Sequence, residues 1–168
     1  MSCNPHLEYE IISKLQKKHD NISIITQNID GMHQRSNSTN VIELHGSLWR
    51  LRCPSEGINF EDSCKKFKTK KCKCGAWLRP DIIWFGDSLK EETIHSARKA
   101  CHSCDLFISI GTSGVVYPVA SLPVFAKANG ALMIEINPVE TDSSYLFKEK
   151  VRETSLNGIK LLFENEIN

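Results

Sequence analysis

The sequence lacks a surplus of charge of either sign. Its 21 lysines and arginines nearly balance 20 aspartates and glutamates, which leaves a formal net charge of +1. A dedicated nucleic-acid-binding domain is usually far more basic, so we expect no direct nucleic-acid partner. The lysines between residues 65 and 73 are a local excess. Because aromatic residues are scarce there, that segment is more typical of a solvated loop than of a surface on which bases stack.

Long hydrophobic runs are also missing. No stretch approaches the ~18 consecutive apolar residues of a transmembrane helix, and no apolar signal segment stands at the start. Seven cysteines without such a signal are typical of a reducing compartment, where thiols bind metals or pack in cores. We therefore expect a cytoplasmic protein without a membrane partner. Its 168 residues, 40% of them hydrophobic, fit one globular domain of about 100 to 200 residues.

Short apolar runs without alternation predict strands. These runs are residues 22–26, 41–44, 48–51, 82–85, 105–110 and 131–136. Helical spacing predicts helices after an Asn4 N-cap, after Ser88 with a capping-box glutamate, over 118–129 with a possible kink at Pro123, and over 156–163. Such strands separated by helices are typical of a parallel sheet covered on both faces, so the predicted fold class is α/β.

One segment interrupts this pattern. Residues 53–78 are polar, rich in lysine and cysteine, and without hydrophobic periodicity. The segment is longer than the ~12 to 15 residues usual for a structureless loop. It therefore predicts a small inserted module, with residues 1–52 and 79–168 forming the main domain.

Small or amide-bearing polar residues follow the three most strand-like runs. Gln27-Asn28-Ile29-Asp30 follows the first, Gly111-Thr112-Ser113-Gly114 the second, and Asn137 the third. In open parallel sheets, ligands bind outside the carboxyl ends of the strands. Such residues also simply terminate strands. Three such ends together favour a nucleotide site.

His45 follows the predicted strand 41–44 and precedes Gly46. A histidine at a strand end can act as a general base, because its ordinary pKa lies near the working pH. Taken alone, one of six histidines is more often structural than catalytic.

Six segments in order resemble the motifs of the sirtuins, which are NAD-dependent protein-lysine deacylases. They are TQNIDGMH (26–33), ELHG (43–46), LRPDIIWFGD (78–87), DLFISIGTS (105–113), YPVASLP (117–123) and IEIN (134–137). The resemblance runs from about Asn4 nearly to the C-terminus. Tyr117-Pro118 after two valines is most similar to the bacterial and mitochondrial branch that includes desuccinylases. The resemblance implies a Rossmann-like sheet with a small zinc-ribbon-like insertion.

The resemblance also implies roles for individual residues. His45 would be the base that takes a proton from a ribose hydroxyl after the acyl oxygen displaces nicotinamide from NAD. Acyl-lysine proteins or peptides would be the substrates, clamped as an added strand by Phe85, Gly86 and Val115. The cofactor NAD would contact Gln27, Asn28, Ile29, Asp30, Gly111, Thr112, Ser113, Asn137 and Val151.

Three functions follow from this resemblance. Protein-lysine deacylation, which yields acyl-ADP-ribose, is the first, and mono-ADP-ribosyl transfer on the same site is the second. The third is a catalytically inactive sirtuin fragment or partner-binding remnant. The glycine-rich GAGxS turn with which sirtuins cradle pyrophosphate does not precede Gln27, so we expect the first strand and its turn to be missing and this chain to be inactive by itself.

Sirtuins similar to this chain hold a structural zinc with two Cys-x-x-Cys pairs. Here Glu56 stands where the second thiol of the first pair belongs, and Cys72-Lys73-Cys74 is one residue too tight. A set of Cys53, Cys64, Cys72 and Cys74 would restore four ligands, although a degenerate module without zinc is equally compatible with this spacing.

A further Cys-x-x-Cys pair consists of Cys101 and Cys104. The pair lies where a predicted helix meets the strand 105–110. This position favours two buried thiols over a redox pair.

Overall fold

The structure, a computed structural model, describes residues 3–19, 21–61, 70–84 and 86–167. Its helices are α1 (Leu7–Lys18), α2 (Met32–Arg35), α3 (Glu91–Ser103), α4 (Leu122–Ala128) and α5 (Ser155–Ile167). Its strands are β1 (Ile24–Thr26), β2 (Val41–Glu43), β3 (Gly46–Arg52), β4 (Asn59–Glu61), β5 (Arg79–Ile82), β6 (Leu106–Ile110), β7 (Leu132–Ile136) and β8 (Glu149–Val151). Short 3₁₀ turns occupy Val119–Ser121 and Ser144–Leu146.

Two of the three sheets are parallel. Strand β1 pairs with β2, and β7 lies between β6 and β8. The pairing of Ile110 with Ile136 brings the ends of β6 and β7 to the same edge. The predicted α/β class with parallel strands is therefore confirmed for the segments that carry the candidate nucleotide site.

The third sheet corrects two strand predictions. Strand β3 pairs antiparallel with both β4 and β5, so residues 48–51 belong to a longer, antiparallel strand. The strand predicted over 82–85 lies at Arg79–Ile82 instead. An added Cβ at Gly46 would collide with the backbone carbonyl of Asp81, so glycine allows β3 to approach β5 this closely. An apolar run of four residues does not specify strand direction, which the tertiary pairing decides.

Helices cover both faces of the β6–β7–β8 sheet. Alternate residues of a strand point to opposite faces, and Met133 packs with the buried residues of α3 and α4, whereas Ile136 packs with Ile11 of α1 and Ile159 of α5. The result is a three-layer α/β/α arrangement. The strands of this sheet carry apolar residues on both faces because helices cover both faces.

The helix starts differ from the predicted ones. His6, not Asn4, precedes α1, and Lys90, not Ser88, precedes α3. Neither residue caps its helix with a side chain. Lys90 instead pairs with the buried carboxylate of Asp81 at 2.9 Å, which attaches the start of α3 to β5. Pro123 lies in the first turn of α4 and does not kink it, since that turn needs no amide donor.

Within the described part of the chain, every helix is too short or too polar to span a lipid bilayer.

Candidate active site and metal centre

The polar ends of β1, β6 and β7 converge on Thr112. The side-chain amide of Gln27 donates a hydrogen bond to Thr112 Oγ1 at 3.2 Å. The Nδ2 of Asn137 donates to the backbone carbonyl of Thr112 at 2.9 Å. Three strand ends that are far apart in sequence are thus joined through one residue. The polar side chains predicted at these strand ends, Gln27, Thr112 and Asn137, therefore lie together in the structure.

An open cleft of about 390 Å³ lies beside this junction. It is lined by Gly111, Thr112, Ser113, Val115, Asn137, Val139, Glu140, Thr141 and Asp142. Gly111 has a φ of +60°, and no atom lies within 4 Å of where its Cβ would be. The bare backbone at this strand end lets a polar ligand approach closely, which fits the pyrophosphate and ribose of a dinucleotide.

The segment after β1 is fastened to β3. The indole Nε1 of Trp49 donates to the carbonyl of Asp30 at 2.6 Å, and the amide of Leu48 donates to the carbonyl of Ile29 at 2.9 Å. The Asp30 carboxylate accepts the amide of Met32 at 3.0 Å. These bonds fix the path of the loop from Gln27 to Asp30. Asn28 within it is solvent-exposed, and its side chain is hydrogen-bonded to that of Tyr9.

His45 lies half-buried between β2 and β3, and its ring is oriented by the same loop. Its Nδ1 is 3.0 Å from the backbone carbonyl of Gln27. A carbonyl can only accept, so Nδ1 carries the proton and Nε2 keeps its lone pair. A neutral imidazole with a free Nε2 is the form that can accept a proton from a substrate. The sequence identified this histidine, and the structure supplies its orientation.

A buried carboxylate beneath the cleft was missed in the sequence analysis. Glu135 of β7 is 1% exposed and accepts hydrogen bonds from Ser144 (2.6 Å), Thr141 (2.8 Å) and Arg152 (2.6 Å). Burial by itself would raise the pKa of Glu135, but these donors outweigh it and lower that pKa. The network holds the loop that borders the cleft. An acidic residue inside an apolar strand was the available sequence signal.

The remaining predicted cofactor and substrate residues are less tightly grouped. Val151 packs partly into the core around Ile11, while its carbonyl accepts the Asn137 amide at 3.1 Å. Val115 borders the cleft and is half-exposed, and Gly86 is exposed with a φ of +91°. Phe85 lies outside the described residues.

Four potential metal ligands converge at the end of β3. One ligand atom each from Cys53, Glu56, Cys72 and Cys74 lies within 4.8 Å of every other. Cys64, which the sequence analysis placed in this set, lies outside the described residues. Three of the four predicted thiols are thus brought together, and a carboxylate joins them. The donor set suits zinc, which binds cysteine sulfur and carboxylate oxygen.

The second cysteine pair is built differently. Cys101 is 2% exposed, and burial raises its pKa to about 12. Cys104 donates to the carbonyl of Cys101 at 3.2 Å, and burial raises its pKa as well. A reactive thiol needs a lowered pKa, and here both values are raised. Of the two thiols predicted to be buried, Cys101 is buried and Cys104 is partly buried.

Comparison with known proteins gives one family throughout. The Sir2 family model matches residues 1–118. An NAD-dependent protein deacylase of Aquifex aeolicus is 39% identical over 165 residues, which cover 96% of this chain and 69% of the relative. An NAD-dependent protein deacylase of Caldanaerobacter subterraneus is 41% identical over 145 residues, covering 84% of this chain and 60% of the relative. The chain therefore spans roughly two thirds of the length of these relatives.

Solved structures give the same result. The complex of a Sir2 homologue with NAD superposes with a TM-score of 0.89 at 36% identity, covering 98% of this chain and 65% of that one. A complex described as Sir2, p53 peptide and NAD⁺ superposes with a TM-score of 0.84 at 28% identity, covering 97% of this chain and 70% of that one. The Rossmann-like α/β fold is thereby established, together with the family resemblance drawn from the six motifs.

Proposed function

This chain belongs to the Sir2 family, and on that basis we propose that its site serves NAD-dependent removal of acyl groups from protein lysines. The observation that carries the proposal is the bond between His45 Nδ1 and the Gln27 carbonyl at 3.0 Å. It makes Nδ1 the donor, so that Nε2 is the ring nitrogen that can accept a proton in the neutral imidazole. The loop that begins at Gln27 therefore orients the candidate base, His45, and also contacts Thr112 at the cleft.

Each part of the site has a separate task in the proposal. When bound, NAD supplies an anomeric carbon that the acyl oxygen attacks as nicotinamide leaves. Nε2 of His45 accepts the proton of a ribose hydroxyl, which then attacks the acyl carbon. Gln27, Asn28 and Asp30 bind the nicotinamide and its ribose. With NAD bound, the acyl carbon would then lose its bond to the lysine nitrogen and take up water, which would release free lysine and acyl-ADP-ribose.

The rest of the nucleotide lies along the open cleft in this proposal. Backbone groups at Gly111, Thr112 and Ser113 bind the ribose and phosphates, because the strand end exposes them. Asn137, whose amide already holds the Thr112 carbonyl, borders the adenosine end together with Val151.

The acyl-lysine substrate is a protein or peptide held as an added strand. Gly86 and Val115 are both exposed, and Val115 lines the cleft, which leaves their backbone accessible to a peptide. Mainchain recognition of this kind tolerates many side chains, so one site can act on many proteins.

Two further assignments belong to the proposal. Residues 53–78 form a separate metal-binding module, and residues 1–52 with 79–168 form the nucleotide-binding domain. We place the protein in the cytoplasm, because all six described cysteines are free thiols, as expected in a reducing compartment.

Replacement of His45 tests the reaction. The assay uses this chain and a chimera that adds the part of the Aquifex aeolicus relative that this chain does not cover. In the chimera, we expect nicotinamide release from NAD in step with deacylation of an acyl-lysine peptide. His45→Ala should lower kcat/KM at least about 100-fold, the range contributed by a general base.

His95→Ala is the matched control, because His95 is exposed on α3 and away from the cleft. It should keep full activity. Undiminished deacylation by the His45→Ala chimera would contradict the proposal, and transfer of ADP-ribose to the protein acceptor, detected by mass spectrometry, would replace it with the alternative reaction.

A further inference from the structure

Two turns in the cysteine-bearing segment are built alike, although the first is one residue longer. In each, the cysteine amide donates to the carbonyl of the residue after the glycine, from Cys53 to Ile58 and from Cys72 to Ala76, both at 2.9 Å. In the first turn, the amide of Gly57 donates to the carbonyl of Cys53 at 2.9 Å, and Gly57 has a φ of +65°. In the second, the amide of Gly75 donates to the carbonyl of Cys72 at 3.0 Å, and Gly75 has a φ of +89°. Both turns use a left-handed glycine to reverse the chain directly after a residue that can bind a metal.

Glu56 occupies the first turn at the position that Cys74 occupies in the second. Each residue directly precedes the left-handed glycine. Each also faces the opposite turn, since Cys53 Sγ is 3.5 Å from Cys74 Sγ and Cys72 Sγ donates to Glu56 Oε2 at 3.0 Å. The carboxylate is therefore directed into the thiol cluster from a turn that ends, like that of Cys74, in a left-handed glycine.

From these contacts we propose that Glu56 is a direct metal ligand, and that this chain holds a zinc-class divalent ion with three thiolates and one carboxylate. Cys53, Cys72 and Cys74 supply the thiolates. The inference goes beyond the proposed function and does not rest on it, because it concerns metal binding alone.

The spacing of the donors suits a tetrahedral ion. Zinc–sulfur distances of about 2.3 Å place tetrahedral sulfur atoms about 3.8 Å apart, and carboxylate oxygen lies at about 2.0 to 2.2 Å from the ion. The Cys53–Cys74 separation of 3.5 Å is close to the first value and far longer than a disulfide bond. Only small side-chain adjustments are needed to admit an ion. Binding releases the thiol protons to water and changes no oxidation state.

The four ligand residues of the cluster differ in their exposure to solvent. Cys53 is fully buried and Cys72 is 7% exposed, whereas Glu56 and Cys74 are exposed. The carboxylate thus completes the shell on the solvent side. Three soft thiolates keep the site selective for zinc-like ions, and the harder oxygen makes it weaker than a four-thiolate site.

The experiment compares zinc and cobalt binding by the full chain and by variants of the first turn. Zinc affinity is measured by competition with a chromophoric chelator, and the number of thiolates is measured from the thiolate-to-cobalt charge-transfer band. We expect one ion per chain. Glu56→Ala should lose affinity by more than about tenfold, since loss of even an indirect supporting group costs ten- to a hundredfold.

Glu56→Cys keeps the proposal testable if Glu56→Ala fails to fold. It should bind the ion more tightly, and its charge-transfer band should be about one third stronger, because four thiolates replace three. Ser55→Ala changes an exposed residue of the same turn and should bind like the unaltered chain.

Cys64→Ser tests the rival fourth ligand. It should leave stoichiometry and affinity unchanged if Glu56 is the ligand. Loss of the ion in Cys64→Ser, an unchanged affinity in Glu56→Ala, or absence of zinc from the purified full chain would each overturn the proposal.

Discussion

Glu135 is a carboxylate within the apolar strand β7, and three donors from the following segment surround it. The folded-state pKa of Glu135 is lowered from the ordinary value of 4.5, so the folded state favours the ionised form. The stabilisation is complete above the unfolded-state pKa and is lost as the pH falls through the lower folded-state value. Glu135 thus links the stability of the cleft to pH.

Replacing Glu135 with glutamine should therefore have a pH-dependent cost. At pH 7 we expect Glu135→Gln to lower the free energy of unfolding by about 2 to 4 kcal/mol, because Arg152 and two hydroxyls lose a charged partner. The difference from the unaltered chain should shrink as the pH falls from about 4.5, where the unfolded chain takes up the proton, through the lower folded-state pKa of Glu135. Urea unfolding across this range measures it.

Glu149→Gln is the control, since this carboxylate is exposed on the neighbouring strand β8. It should change the unfolding free energy by less than about 0.5 kcal/mol. An equal and pH-independent cost for both variants would contradict the role assigned to the Glu135 network.

Single residues also show how far sequence reasoning extends. His45 could be selected because its neighbours form a recognisable motif. The sequence shows Glu56 at the position of an expected thiol. Only the packing of two turns against each other brings its carboxylate to the thiol of Cys72. Glu135 gave only the signal of an acidic residue inside an apolar strand. Its partners follow it by 6 to 17 positions and meet it only in three dimensions, so the sequence did not show what it binds.

Between elements, α5 approaches β7 closely at Gly158. Gly158 of α5 is buried, and an added Cβ there would collide with the Ile136 side chain. Glycine in a helix interior costs about 1 kcal/mol relative to alanine. Its presence here is explained by packing, since the helix lies too close to the strand for a methyl group.

Gly158→Ala should consequently destabilise the protein in spite of the better helix former. We expect a loss of about 1 to 3 kcal/mol from overpacking, measured by urea unfolding. In an Ile136→Ala background the space exists, and the same change should be neutral or stabilise by up to about 1 kcal/mol. Equal effects of Gly158→Ala in both backgrounds would show that the two residues do not couple.

The direction of β3 and β5 illustrates what an element alone does not specify. Their apolar residues predicted strands, but both were assigned to the parallel sheet. They pair antiparallel in the fold, although the 26 residues between Arg52 and Arg79 are enough to connect the strands in either direction. Strand direction is a property of the connection and of the partner, neither of which appears in a four-residue pattern.

At the scale of the whole molecule, the cleft at the ends of β6 and β7 is where we expect a Sir2-family protein to bind NAD. The chain spans about two thirds of the length of its relatives. A measurement of NAD binding by the chain itself therefore distinguishes a working nucleotide site from an inactive remnant. Ligand that binds only the folded state stabilises it by mass action.

We expect NAD to stabilise the chain in urea unfolding. At ten times its dissociation constant, NAD should add about 1.4 kcal/mol to the free energy of unfolding. Asn137→Ala should lose most of this gain, because its amide holds the Thr112 carbonyl at 2.9 Å. Asn4→Ala, at an exposed position before α1, should keep it. No stabilisation of the unaltered chain at millimolar NAD would favour the non-binding alternative.

The sequence by itself determined the family, the α/β class and the candidate base, because ordered motifs and apolar runs are local properties of the chain. Tertiary structure alone decided which nitrogen of His45 is free, where β3 and β5 run, and that Glu135 organises a loop. It also brought Glu56, rather than a fourth described thiol, into the metal cluster. Each of these depends on groups distant in sequence meeting at fixed distances, which only the packed fold specifies.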